Sequence, residues 1–274
     1  MEFTVKKIAE NLWALEQQGV RCFLLTGEDK AVLVDTGFGG DILRLPTRYG
    51  MLTVRGRIDR VDEAEGEQSE YIRVVDYKTG HKKFDLSEVY CGVGLQLVVY
   101  LMAAVNRYRA LGKDAKAAGG FYFNIMLPYL EEGDKESKRL AKFRMNGFLL
   151  AEEDAVRAMD AGESKLLSMN AAMKDIEAYG DVASGSNCFT EQEMQQIFSY
   201  ARHMLVQAAE QMYGGRMDPR PLDQAGQLAC RYCEYSAVCM YDPQADTTRK
   251  RVYGMDKAEA FREMKRRMEE AEHE

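Results

Sequence analysis

Histidine is scarce in this chain: only His81, His203 and His273 occur among 274 residues. Their separations exclude a zinc site built from a local histidine cluster, whose ligands fall a few residues apart. No run of about 18 apolar residues appears, which excludes a membrane-spanning helix by length alone. The stretch from Met1 to Glu10 carries charge and lacks the apolar centre of a signal peptide. No G-x-x-x-x-G-K-[S/T] sequence is present, so the chain has no recognisable ATP-binding loop. Internal repeats and low-complexity tracts are absent as well. Positive charge is also short: 37 Lys and Arg face 44 Asp and Glu, for a net charge of −7. That balance argues against holding nucleic acid by bulk charge and turns attention to local basic stretches. What remains is an ordinary globular composition, 46% hydrophobic and 30% charged. It suffices for one sizeable domain with appendages, and the expectation is a cytoplasmic protein.

Three segments follow from patterning. In the first, about residues 1–45, Leu12 to Glu16, Val20 to Leu25 and Ala31 to Asp35 read as short strands. Gln18-Gly19 and Gly27 to Lys30 supply turns, and Gly37, Gly39 and Gly40 end the run. In the second, about 46–245, Leu52 to Val61 and Tyr71 to Tyr77 read as strands joined by an acidic connection. Leu95 to Leu111 reads as a helix, because Leu95, Val98, Val99, Met102 and Val105 recur at helical spacing. Phe121 to Leu127 is a further strand, and Glu191 to Tyr213 a helix stopped by Gly214-Gly215. The third segment, 246–274, is a charged helical tail, and a solvated or frayed helix is its simplest reading.

Chemistry concentrates in Gly56-Arg57-Ile58-Asp59-Arg60-Val61-Asp62 and Val74-Val75-Asp76-Tyr77-Lys78-Thr79-Gly80. Residues i and i+2 of a strand share a face, so Asp76 and Lys78 are presented together. A tight hairpin brings Asp59 alongside. Two carboxylates, joined by the backbone carbonyl of Tyr77, suit Mg²⁺ or Mn²⁺, hard cations that prefer oxygen. Such a metal polarises a phosphate and acidifies a bound water, and a lysine beside it meets charge developing on the phosphate. Downstream, Gln96 and Tyr100 stand at i, i+4 on one helix face. Taken alone, a D-x-K triplet also describes an ordinary surface ion pair. Arg55, Arg57 and Arg60 on one side, and Lys82 and Lys83 on the other, are candidate DNA contacts.

G-R-I-D-R-V-D, V-V-D-Y-K-T-G and G-L-Q-L-V-V-Y-L resemble the successive nuclease motifs of the AddB/RexB family of helicase–nuclease subunits. They are similar, more distantly, to those of RecB and its relatives. The likeness runs from about residue 50 to 242. It implies a PD-(D/E)XK, restriction-endonuclease-like α/β core, a mixed sheet flanked by helices, here with an extra N-terminal β-meander. It implies an exonuclease acting on DNA that is single-stranded or has free ends, with a helicase subunit as partner. Asp59 and Asp76 would then be metal ligands, Lys78 the catalytic lysine, and Gln96 and Tyr100 the residues that help place DNA. The family often carries an acidic residue or histidine on a helix before the first motif. No residue here matches it, so an inactive remnant that binds DNA or a partner stands as the alternative.

Cys230, Cys233 and Cys239 resemble the family's late cysteine triplet, which implies a 4Fe–4S cluster completed by one early cysteine. The upstream cysteine here, Cys22, does not match that position; zinc or free thiols are the other readings. Cys22, Cys91 and Cys188 read as buried free thiols. The stretch A-E-N-L-W-A-L-E-Q-Q-G-V to V-D-T-G-F-G-G-D, residues 9–41, resembles the opening strands of a metallo-β-lactamase-fold hydrolase. The H-x-H-x-D-H ligands of that family are absent, so the resemblance implies a strand fragment without its zinc chemistry.

Overall fold

A computed structural model describes residues 4–17, 20–26, 31–34, 38–67, 69–80, 82–125, 145–159, 187–224, 226–246 and 250–272, and, of residues 15–39, 232 and 272, the backbone alone. The expected turns at Gln18-Gly19 and Gly27 to Lys30, and the residues Asp35, Thr36, Gly37 and His81, lie outside this description. Among the described residues no helix is long and apolar enough to cross a membrane.

The chain divides into two compact units. One comprises Met1–Arg44, Thr53–Phe84 and Gln96–Gln195; the other comprises Leu45–Leu52, Asp85–Leu95 and Gln196–Glu274. In the first unit, β1 (Thr4–Ala9), β2 (Leu12–Gln17), β3 (Val20–Thr26) and β4 (Ala31–Val34) form an antiparallel sheet in sequence order. The sequence reading missed β1, because Lys6 and Lys7 interrupt its apolar alternation; all six of its residues are exposed. The glycines do not end the run as expected. A further strand, β5 (Phe38–Thr47), passes through Gly39 and Gly40 and pairs with β6 (Gly50–Ile58). Gly40, at φ +104°, takes up the bend without breaking the strand.

The central sheet is mixed. Its order is β11 (Cys188–Phe189), β10 (Asn146–Leu150), β9 (Ala115–Asn124), β8 (Glu70–Lys78), β7 (Arg60–Glu65). β7 and β8 run antiparallel, β8 and β9 parallel, β9 and β10 antiparallel, and β10 and β11 parallel. β8 is covered on both faces, so Tyr71, Ile72, Val74, Val75 and Asp76 are all buried. On one face Tyr71 and Val75 pack with Ala155 and Val156 of α3 (Glu153–Met159). On the other lies α2 (Gln96–Ala110), whose Leu97, Val98, Leu101, Met102, Ala104 and Val105 are buried. The helix ends at Gly112, which adopts φ +84°. Glycine is required where β9 and β10 meet: a Cβ on Gly147 would overlap the Gly120 carbonyl oxygen.

The second unit holds α1 (Leu86–Tyr90), α4 (Glu191–Tyr213, from Gln196 on), α5 (Ser236–Cys239), α6 (Lys257–Glu272) and a small sheet of β12 (Leu222–Gln224), β13 (Gln227–Leu228) and β14 (Lys250–Val252). Here the reading of a solvated tail is corrected. Ala260 and Met264 of α6 are fully buried. Arg267 Nη1 donates to the Tyr90 carbonyl at 3.2 Å and to the Tyr200 hydroxyl at 2.9 Å, with its guanidinium 4.8 Å from the Tyr90 ring. The density of charge in this segment concealed an apolar stripe every fourth residue.

Candidate active site

Asp59 stands at the break between β6 and β7, where the chain leaves one sheet and joins another. The antiparallel register, with Arg60 opposite Val75, carries it to the level of Asp76. Its Oδ2 accepts the backbone N–H of Tyr77 at 2.9 Å, which orients the carboxylate along the end of β8. Asp76 is only 3% exposed. Its Oδ2 lies 2.5 Å from Lys78 Nζ as an ion pair and has no further hydrogen-bond partner among the described residues. Burial holds the Asp76 carboxyl above the ordinary carboxylate range, Asp59 adds to the effect, and Lys78 opposes it.

Lys78 Nζ also donates to Gln96 Oε1 at 3.0 Å, and Gln96 Nε2 donates to the Tyr100 hydroxyl at 3.4 Å. The i, i+2 pairing in β8 and the i, i+4 pairing in α2 therefore meet in one chain, Asp76–Lys78–Gln96–Tyr100. Two contributors were not foreseen. Tyr122, level with Asp76 in the parallel β8–β9 register, places its ring 5.7 Å from Lys78 Nζ. Gly56 leaves the space that Tyr100 fills: a Cβ there would stand 3.1 Å from Tyr100 Cε1 and 2.9 Å from Ile42 Cδ1. A strand reading of residues 115–124 would have found Tyr122 by its register; nothing in the sequence pointed to the Gly56 contact.

The expected DNA-contacting residues are not gathered with this chain of side chains. Arg55 and Arg57 are exposed on the face of β6 opposite to Gly56, and Arg55 Nε donates to Asp41 Oδ1 at 2.9 Å. Arg60 is half-buried; its Nε donates to Asp62 Oδ1 at 2.6 Å, while Arg73 Nε donates to Asp62 Oδ2 at 2.7 Å. Lys82 is half-buried and Lys83 exposed between β8 and α1.

Among the described residues no three His, Cys, Asp or Glu side chains come together as a metal-holding group. For the central pair this fits Mg²⁺ or Mn²⁺, because Mg²⁺ is commonly held by one or two carboxylates, with water and substrate phosphate completing its shell. The buried Asp76 carboxylate, with Lys78 as its one cationic neighbour among the described residues, is the group such an ion would meet. The late cysteines do not come together as a group of three among the described residues, and the side chain of Cys22 lies outside them. Cys230 is half-buried and Cys233 and Cys239 are exposed, all three as free thiols, in and beside a 3₁₀ turn (Ala229–Tyr232) and α5. Cys91 and Cys188 are buried and in no disulfide, in keeping with the sequence reading, and the side chain of Cys22 lies outside the described residues.

The family model of the PD-(D/E)XK nuclease superfamily matches residues 4–240. The chain belongs to that superfamily. Its match begins at residue 4 and so takes in the N-terminal strands. Within the superfamily the chain is similar to proteins named as subunits of an ATP-dependent helicase/deoxyribonuclease. The one from Anoxybacillus flavithermus is 36% identical over 231 residues, 80% of this chain and 20% of the relative. The one from Enterococcus faecalis is 31% identical over 254 residues, 87% of this chain and 21% of the relative. The one from Listeria welshimeri is 31% identical over 237 residues, 82% and 20% respectively. The chain spans about a fifth of the length of these relatives. The resemblance read from the three motifs, and the PD-(D/E)XK α/β core it implied, are thereby borne out.

Proposed function

We propose that this chain is a metal-dependent deoxyribonuclease of the exonuclease type, working in DNA recombination and repair; the deoxyribonuclease activity and a helicase partner are what its relatives' names suggest. The observation that carries the reading is the buried Asp76 carboxylate, whose Oδ2 is ion-paired to Lys78, beside the oriented carboxylate of Asp59. Asp59, Asp76 and the carbonyl of Tyr77 would hold Mg²⁺ or Mn²⁺, which supplies phosphate polarisation and a more acidic bound water. Lys78 presents an ammonium at the same edge, where it stabilises negative charge gathering on the phosphate oxygens. Gln96 keeps that ammonium from folding wholly onto Asp76, and Tyr100 keeps the Gln96 amide in its orientation. Arg55, Arg57, Lys82 and Lys83 would meet the DNA backbone further from the reacting phosphate.

The test is incubation of the purified chain with end-labelled single- and double-stranded DNA, with Mg²⁺, with Mn²⁺ and with EDTA, beside Asp76→Ala. Cleavage that requires metal and disappears in the variant is the expected result. A folded protein that cuts under none of these conditions overturns the reading in favour of an inactive, DNA-binding remnant.

A further inference from the structure

Beyond Tyr100, the same stripe of α2 continues through Ala103 to Arg107, at i, i+4, i+7 and i+11 from Gln96. It ends in a cleft of about 330 Å³ lined by Asp41, Ile42, Leu43, Arg44, Ala103, Asn106 and Arg107. Ile42 is shared: it lines the cleft and also closes on the Gly56 position against which Tyr100 rests. The cleft is therefore the direct continuation of the site, on one unit of the fold, and 11 residues of helix place its far rim roughly 16 Å from Gln96.

Its chemistry is that of a phosphate subsite. Arg44 is exposed on β5 and Arg107 on the last turn of α2, and Asn106 lines the same cleft. Their one acidic neighbour in the cleft is already engaged. Asp41 Oδ2 accepts from Arg44 Nη2 at 3.1 Å and Asp41 Oδ1 from Arg55 Nε at 2.9 Å, and these two arginines hold its carboxyl below the usual range. Asp41 thus sits between two guanidinium groups in the manner of a phosphate. We propose that this cleft binds the sugar–phosphate backbone of a DNA strand several nucleotides from the reacting phosphate. In this arrangement Asp41 occupies Arg44 of the cleft, together with Arg55 beside it, when DNA is absent and is displaced by a phosphate when it is bound. The inference rests on the nuclease reading for its direction of travel, but the binding it describes is measurable without cleavage.

The experiment uses the full chain in EDTA, with a fluorescein-labelled oligodeoxythymidylate read by anisotropy across a series of KCl concentrations. Arg107→Gln should weaken binding roughly tenfold, the scale of one charge-assisted hydrogen bond. It should also flatten the log–log salt dependence by about 0.7, the share of one phosphate contact on a single strand. Asp41→Asn should do the reverse, tightening binding and steepening the salt dependence, a sign that a misfolded protein cannot produce. Lys265→Ala and Glu269→Gln, exposed on α6, make the same two charge changes elsewhere and should move neither quantity. Arg107→Gln indistinguishable from Lys265→Ala, or Asp41→Asn that binds no tighter than Glu269→Gln, overturns the proposal. Loss of the nuclease reading would appear separately, as absence of metal-dependent cleavage by the unsubstituted chain.

Discussion

Asp76 carries its charge where burial disfavours it, and among the described residues only Lys78 compensates. A carboxyl whose folded-state pKa is raised contributes its full stability below the unfolded value, about 3.9, and loses it as pH rises through the folded value. In EDTA the unsubstituted protein should therefore lose stability as pH climbs from about 4 through that raised value. Asp76→Asn, which cannot ionise, should melt at a higher temperature than the parent at neutral pH while cleaving no DNA. A variant that melts lower than the parent at pH 7, with the difference vanishing as the pH falls, would show that Asp76 is stabilised by its ion pair. The neighbouring residues should grade by their distance from the phosphate. Lys78→Ala should reduce single-turnover cleavage by about 10² to 10³, as for loss of a group that meets transition-state charge. Gln96→Ala should cost less, on the order of tenfold, because it acts through Lys78. Equal losses in the two variants would contradict that order.

At the scale of elements, β6, β8 and α2 bring the site together, and each was legible because its burial pattern follows its period. β8 reads as a continuous apolar run since both faces are covered, and α2 repeats its apolar residues at helical spacing. The D-x-K triplet and the Gln96–Tyr100 pair follow from those two periods alone. What was not legible depends on pairing between segments distant in sequence. Tyr122 joins Lys78 only through the parallel register of β8 and β9. Asp62 takes up Arg60 because β7 lies against Arg73 of β8, so an arginine expected on DNA is instead held within the sheet. Strand β5 was obscured by glycines that usually punctuate loops, and the packing of α6, though not its helix, by charges that surround a narrow apolar stripe. The close approach of β6 to Tyr100 yields its own prediction. Gly56→Ala should cost about 1–3 kcal/mol by overpacking. It should lower cleavage further by displacing Tyr100 and, through it, Gln96. Urea denaturation and single-turnover kinetics on the same preparation separate the two effects. Wild-type kinetics in a destabilised variant would show that the Tyr100 contact is structural only.

Across the whole molecule, the cost of burying Asp76 and the binding of a metal are two sides of one equilibrium. An ion that binds only the folded state stabilises it by RT ln(1 + [L]/Kd), about 2.7 kcal/mol at a hundredfold excess over Kd. For a chain of this size that corresponds to a rise in Tm of about 5 °C. Mn²⁺ or Mg²⁺ should produce such a rise, EDTA should reverse it, and Asp59→Asn and Asp76→Asn should abolish it. The shift should grow between pH 5 and pH 8, because the ion competes with a proton for the raised carboxyl of Asp76 and wins as that proton leaves. Cys230→Ser, remote in chemistry from the carboxylate pair, should leave the metal-induced rise unchanged. A rise that persists in both aspartate variants would place the stabilising ion elsewhere on the protein and remove the physical basis for assigning it to β6 and β8.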